Sequence, residues 1–311
     1  MAEKPNKGDP MAGLWKRMTM GVVTVSAIAL VAGCGGATGG TASAKPGAAA
    51  PTDPLAAAQA APDATKAAGT SKLSYTAGFR MSGGPAGSDS FSMSGDGAYD
   101  FGRQIGEFAP PRMSGDTMGF TMGRSIVARN VFYEEVPGQT GRWTRTDYSS
   151  LVNTPIGQMD PADQLELLRG VAAGGVRDAG TDTLRGESTR HFSITIDPKK
   201  LAANRSVVVA GGIVEQAMKM VSPFPADVWI DGDGRVRKMA VKIEVVGGDV
   251  DLKALGMDGL DPAMQARIKE GLKDMRSSMD IAMEYFDFGV AVDTQEPSAS
   301  QVTERSPLAP R

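Results

Sequence analysis

The chain has 311 residues, with 33 Lys and Arg against 36 Asp and Glu, a single His and a formal net charge of -3. That balance excludes a polyanion-binding surface as the main function, because neutralising phosphates takes a net or local excess of Lys and Arg, so no nucleic-acid partner is expected. The single cysteine excludes an intrachain disulfide and any multi-cysteine zinc or iron–sulfur site, and no metal or other cofactor is expected.

The chain opens with Lys4, Lys7, Lys16 and Arg17, followed by an uncharged run from Met18 to Gly33. A membrane-crossing helix needs about 20 apolar residues, so this shorter run reads as the apolar part of a signal peptide over 1–33. "MAGLWKRMTM" is a complete basic leader by itself, so Met1 and Met11 both stand as starts. The run ends in "LVAGCGG", which holds Cys34, the only cysteine. Val31-Ala32-Gly33-Cys34 resembles the lipobox of bacterial lipoproteins: an aliphatic residue, two small ones and a cysteine. The resemblance implies an S-diacylglyceryl group on the Cys34 thiol, cleavage between Gly33 and Cys34, and N-acylation of the new terminus. Two or three acyl chains satisfy the two-anchor condition for stable membrane residence.

From Cys34 to 70 the chain is Ala, Gly, Pro, Ser and Thr with almost no large apolar residue. Such a composition does not bury enough surface to offset ordering entropy, so 34–70 is expected to be a disordered tether. The end of the chain, 293–311, is similar and is expected to be a disordered tail. Between them, 71–292 has the length of one domain.

Within 71–292 a period of two dominates. "RHFSITID" places Phe192, Ile194 and Ile196 on one face and His191, Ser193 and Thr195 on the other. "RKMAVKIEVV" does the same with Met239, Val241, Ile243 and Val245, and "SMDIAMEYFDFG" with Met279, Ile281, Met283 and Tyr285. "SYTAGFRMSG", "SFSMSGDGAYDF" and "SIVARNVFYEEV" alternate less cleanly but are rich in strand formers. Gly232-Asp233-Gly234 between two such runs predicts a hairpin turn. Three helices are expected. One follows Asp160 as N-cap and Pro161, with Leu165, Leu168 and Val171 on its stripe. The second carries Ile213, Val214 and Ala217 and ends before Pro223. The third follows Asp261, with Met264, Ile268, Leu272 and Met275. The sum is an α+β fold: a strongly curved antiparallel sheet with about three helices packed on its concave face.

The residues give no sign of catalysis, and the protein is expected not to be an enzyme. His191 stands on the polar face of a strand, and no G-x-S-x-G elbow accompanies it. "DGDGR" at 231–235 opens like a calcium loop, but Lys242 occupies the place of the required terminal acid. Methionine is unusually frequent, at 18. It serves as core filler or as the lining of a surface that adapts to varied apolar partners.

The order "VFYEEVPGQTGRWTRTDYSSL", "DPADQLELLRGVA", "GTDTLRGESTRHFSITID", "FPADVWIDGDGRVRKMAVKIEV" and "YFDFGVAVDTQEP" resembles the LppX/LprA/LprF/LprG group of actinobacterial cell-envelope lipoproteins, across most of 71–297. The stretch before the last strand, "GMDGLDPAMQARIKEGLKDM", and the Met-rich 112–122 depart from that pattern. The resemblance implies a LolA-like half-open barrel that carries acyl lipid or glycolipid between membrane and cell surface. The group binds through a distributed apolar lining, for which Met239, Val241, Ile243, Met279, Ile281, Met283, Phe192, Ile194, Leu165 and Leu168 are the candidates. The expected protein is a monomer held to the extracytoplasmic face of the membrane through Cys34. An anchored sensor or protein-interaction module without a lipid cavity is the alternative at this point.

Overall fold

The longest strands form where alternation is cleanest. In the computed structural model, which describes residues 53–82, 89–115, 121–147, 160–203, 222–246, 261–273 and 275–305, the chain begins with a helix, α1 (Pro54–Ala67). Seven strands follow: β1 (Thr70–Ser82), β2 (Asp89–Asp100), β3 (Ile105–Phe108), β4 (Arg112–Gly115), β5 (Ser125–Ala128), β6 (Val131–Glu135) and β7 (Trp143–Asp147). A short helix, α2 (Pro161–Leu165), continues as a 3-10 turn to Gly170. Then come β8 (Val171–Leu184), β9 (Glu187–Ile196), α3 (Pro198–Ala203), β10 (Phe224–Asp231), β11 (Val236–Val246), α4 (Pro262–Lys273), β12 (Arg276–Phe286) and β13 (Val302–Arg305). The leader, Cys34 and the stretch read as a helix from Ile213 to Val221 lie outside the described residues.

The strands form one sheet in the order β13-β7-β6-β5-β3-β2-β1-β12-β11-β10-β9-β8, with β4 also paired to β2. Neighbours run antiparallel, except that β13 lies parallel to β7. β13 and β8 are the two ends, so the sheet stays open. The segment Asp160–Gly170 touches Tyr99 of β2 at one end and approaches Ile196 of β9, five strands along, at the other. The sheet therefore curls around it: the curved antiparallel sheet that the alternation predicts, half-open as the resemblance implies.

Register carries one apolar face across the long strands. Leu73, Tyr75, Ala77 and Phe79 of β1 oppose Tyr285, Met283, Ile281 and Met279 of β12. Those β12 residues in turn oppose Met239, Val241 and Ile243 of β11, and the row continues through Val228 and Ala226 to Phe192 and Ile194. The hairpin predicted at 232–234 is present. Asp231 Oδ1 accepts from the Asp233 and Arg235 amides at 3.0 and 2.9 Å, and Gly234 supplies the positive φ of 79°.

Three expectations are corrected. The segment 34–70 is not a tether to its end, because α1 occupies 54–67 and is docked. Ala57, Ala58, Ala61 and Thr65 are buried, and small side chains let a helix lie close on the sheet. Asp53 caps it by accepting from the Ala56 amide at 2.7 Å, and Lys66 pairs with Glu166 at 2.5 Å. The chain after 292 is not a free tail. Arg103 bonds the Val292 and Thr294 carbonyls, Tyr133 donates to Glu296 at 2.6 Å, and β13 extends the sheet. Finally, the helix from Asp160 ends at Leu165, and the rest of the predicted stripe is 3-10 turn and strand. A Cβ at Gly170 would meet Leu201 Cγ at 2.6 Å, so that turn needs glycine.

Candidate functional site

One cross-strand row of the apolar residues runs along a pocket. Met113, Met93, Ala77, Ile281, Val241 and Ala226 follow one another in register across β4, β2, β1, β12, β11 and β10. They line a cavity of about 670 Å³, within the range of small-molecule sites. Each is flanked in the lining by its strand neighbours, such as Thr76 and Gly78 beside Ala77. Alternation turns these polar neighbours away from the row's side chains, and among the pocket's lining Asp280 pairs with Arg80 at 2.6 Å and Lys242 with Glu244 at 2.9 Å. Beside the row's aliphatic groups and two soft thioethers, the lining holds Arg112, Asp227, Lys242 and Asp280.

The next row along the strands is packed. Tyr75, Met283, Met239, Val228 and Phe192 are buried. Leu165 and Leu168, from α2 and its 3-10 turn, pack into the same core. Below them lies a polar lock. Tyr99 donates to Asp160 Oδ1 at 2.5 Å, the same oxygen caps α2 through the Ala162 amide at 2.8 Å, and Tyr285 donates to the Pro161 carbonyl at 3.2 Å. Burial pushes the Asp160 carboxyl up to about 7, against the opposing pull of the Tyr99 bond. Burial, reinforced by the neighbouring Asp160 carboxyl, drives the Tyr99 hydroxyl far above its ordinary value. The Tyr75 hydroxyl, in that packed row, is buried without a hydrogen-bond partner among the described residues.

Of the ten candidate lining residues, Val241 and Ile281 line the cavity. Met239, Met283, Phe192, Ile194, Leu165 and Leu168 are packed core, and Val241 belongs to that core as well. Ile243 and Met279 stand in the row on the other side of the cavity. The sequence reading missed Ala77, Ala226, Met93 and Met113 as lining. The alanines are too small to register as apolar signals, and the two methionines lie among serines and glycines. Cys34 and Gly33 lie outside the described residues.

His191 is less exposed than its place on a polar face implies. Its ring stacks on Trp229 at 4.3 Å, with Nε2 2.8 Å from Asp227 Oδ1 and Nδ1 3.5 Å from Asp182. Ser193 donates to the same Asp227 oxygen at 2.8 Å. The order Ser–Asp–His leaves the hydroxyl on the acid instead of the imidazole, so this is not a nucleophile–base pair.

No protein-family model and no curated protein matches the chain. Among solved structures, LprF from Mycobacterium bovis aligns at 12% identity over 81% of this chain and 100% of its own, with a TM-score of 0.38. The Mycobacterium tuberculosis lipoprotein LppX aligns at 16% identity over 77% and 97%, with a TM-score of 0.37. A LolA-superfamily protein from Nitrosomonas europaea aligns at 10% identity over 74% and 94%, with a TM-score of 0.27. The chain is similar to LprF and LppX. At this level the likeness concerns the path of the chain alone, and the site is read from its own residues.

Proposed function

We propose that the protein is an envelope lipoprotein, anchored by acyl chains on Cys34 after cleavage at Gly33, that binds the apolar part of an acyl lipid or glycolipid. The observation that carries this reading is the open pocket of about 670 Å³ that follows the apolar row from Met113 to Ala226 across the sheet. The anchor would hold the domain at the membrane surface from which such a ligand comes. The length of chain between Cys34 and α1 sets how far it ranges.

The test is extraction of lipid from purified Cys34→Ser protein, followed by mass spectrometry, beside an Ile281→Asp form. Ile281 is half-buried and lines the cavity, so a carboxylate there desolvates on ligand entry. Co-purifying acyl lipid that Ile281→Asp loses while keeping its circular-dichroism spectrum is the expected result. Absence of lipid from both proteins, together with no uptake of an added fluorescent fatty acid, overturns the reading. Cys34→Ser is also expected to leave the membrane fraction for the soluble one; unchanged fractionation contradicts the anchor.

A further inference from the structure

The edge strand β8 is held by an interrupted ladder. It ends the sheet, so β9 is its one neighbour in the strand order. The pairing to β9 breaks between Val171 and Val176 and again between Asp178 and Gly180. Gly180 takes a positive φ of 104° at the second break and opposes His191 in register. The residues from Arg177 to Thr183 are exposed. A strand with few ladder bonds and little buried surface opens locally at low cost, so side-chain ties at the break decide how firmly it lies.

Three strands meet in such a tie, on the face away from the buried Phe192, Ile194 and Val228. Trp229 of β10 opposes His191 of β9, and their rings stack at 4.3 Å. Trp229 Nε1 donates to Asp182 Oδ2 of β8 at 2.7 Å. The imidazole stands between two carboxylates, with Nε2 2.8 Å from Asp227 Oδ1 and Nδ1 3.5 Å from that same Asp182 oxygen. Its side chain is only 20% exposed, so water does little to replace either contact. A carboxylate donates nothing, and a neutral imidazole has one N–H. The neutral ring therefore turns a lone pair toward one of the two acids, whereas the imidazolium donates to both. The other charges around the ring have partners or stand apart. Arg190 pairs with Asp178 at 2.8 Å, and Lys238, 5.2 Å from the Trp229 ring, pairs with Glu284 at 3.4 Å. Arg177 lies opposite Ser193, whose hydroxyl donates to Asp227.

We infer that His191 is a proton-operated clasp on the edge strand: the charged imidazole ties Asp182 of β8 to Asp227 of β10 across β9, and loss of its proton releases the Asp182 side. Histidine changes charge between about pH 5 and 8, so the clasp is closed in acid and opens as pH rises. It needs no ligand and stands or falls apart from the lipid-binding reading.

The test is amide hydrogen exchange of Cys34→Ser protein across that pH range, corrected for intrinsic exchange, beside its Asp182→Asn and His191→Gln forms. Protection of amides 180–184 is expected to fall roughly threefold from acid to alkaline pH, the scale of one half-exposed ion pair. Asp182→Asn keeps an acceptor for Trp229 and is expected to lose most of that fall; His191→Gln is expected to lose all of it. Indole emission reads the proton directly, because a charged imidazole in stacking contact quenches it. Emission is expected to rise with pH in the parent and in Asp182→Asn, and the His191→Gln form is expected to lack that rise. Protection of 180–184 that does not change with pH in the parent, or a fall that persists undiminished in Asp182→Asn or in His191→Gln with its circular-dichroism spectrum retained, overturns the clasp.

Discussion

Asp160 is the residue on which the floor of the cavity turns, since one oxygen serves both as the N-cap of α2 and as acceptor for Tyr99. Its carboxyl rises from an ordinary 3.8 to about 7 because burial disfavours the charge. A carboxyl whose pKa is raised by folding binds its proton more tightly in the folded state. Its contribution to stability is complete below about 3.8 and fades as pH climbs through about 7. Unfolding in urea at a series of pH values is expected to show stability falling across that window by a few kcal/mol. Asp160→Asn, which still caps and still accepts, is expected to flatten the slope. A slope unchanged by Asp160→Asn assigns the titration to another group.

At the scale of elements, alternation was the readable signal, and it gave the right face for β9, β11 and β12. It gave the face but not the level along the strand, because every second residue obeys it whether the space above is filled or empty. Met239, Met283 and Val241 are alike buried in the core, and Val241 and Ile281 also border the pocket. α1 escaped because its apolar stripe is alanine. Its legible signs were the Asp53 cap, Pro54 behind it and Gly69 just past its end. β13 escaped because its order comes from bonds to distant residues such as Arg145 with Glu304, which no local pattern announces. The docking of α1 is testable by Ala61→Leu. Ala61 is fully buried, so the larger side chain overpacks the contact and is expected to cost about 1–3 kcal/mol, read as a lower urea midpoint with unchanged slope. An unchanged midpoint means that the segment does not bear on the sheet.

At the scale of the whole molecule, an open sheet curls round a short helical plug, and a pocket of about 670 Å³ follows one row of it. The one His and several of the described acids are held in pairs and turns, as at Asp231 with Arg235 and Asp227 with Ser193 and His191. The central claim is that the row through Ala77 and Ile281 is a seat for an acyl chain. Its most direct measurement is titration of a fluorescent fatty acid into Cys34→Ser protein and an Ala77→Trp form, which places an indole in the chamber. Saturable one-to-one binding that Ala77→Trp abolishes, with the circular-dichroism spectrum retained, is the predicted result; undiminished binding by folded Ala77→Trp protein would contradict it.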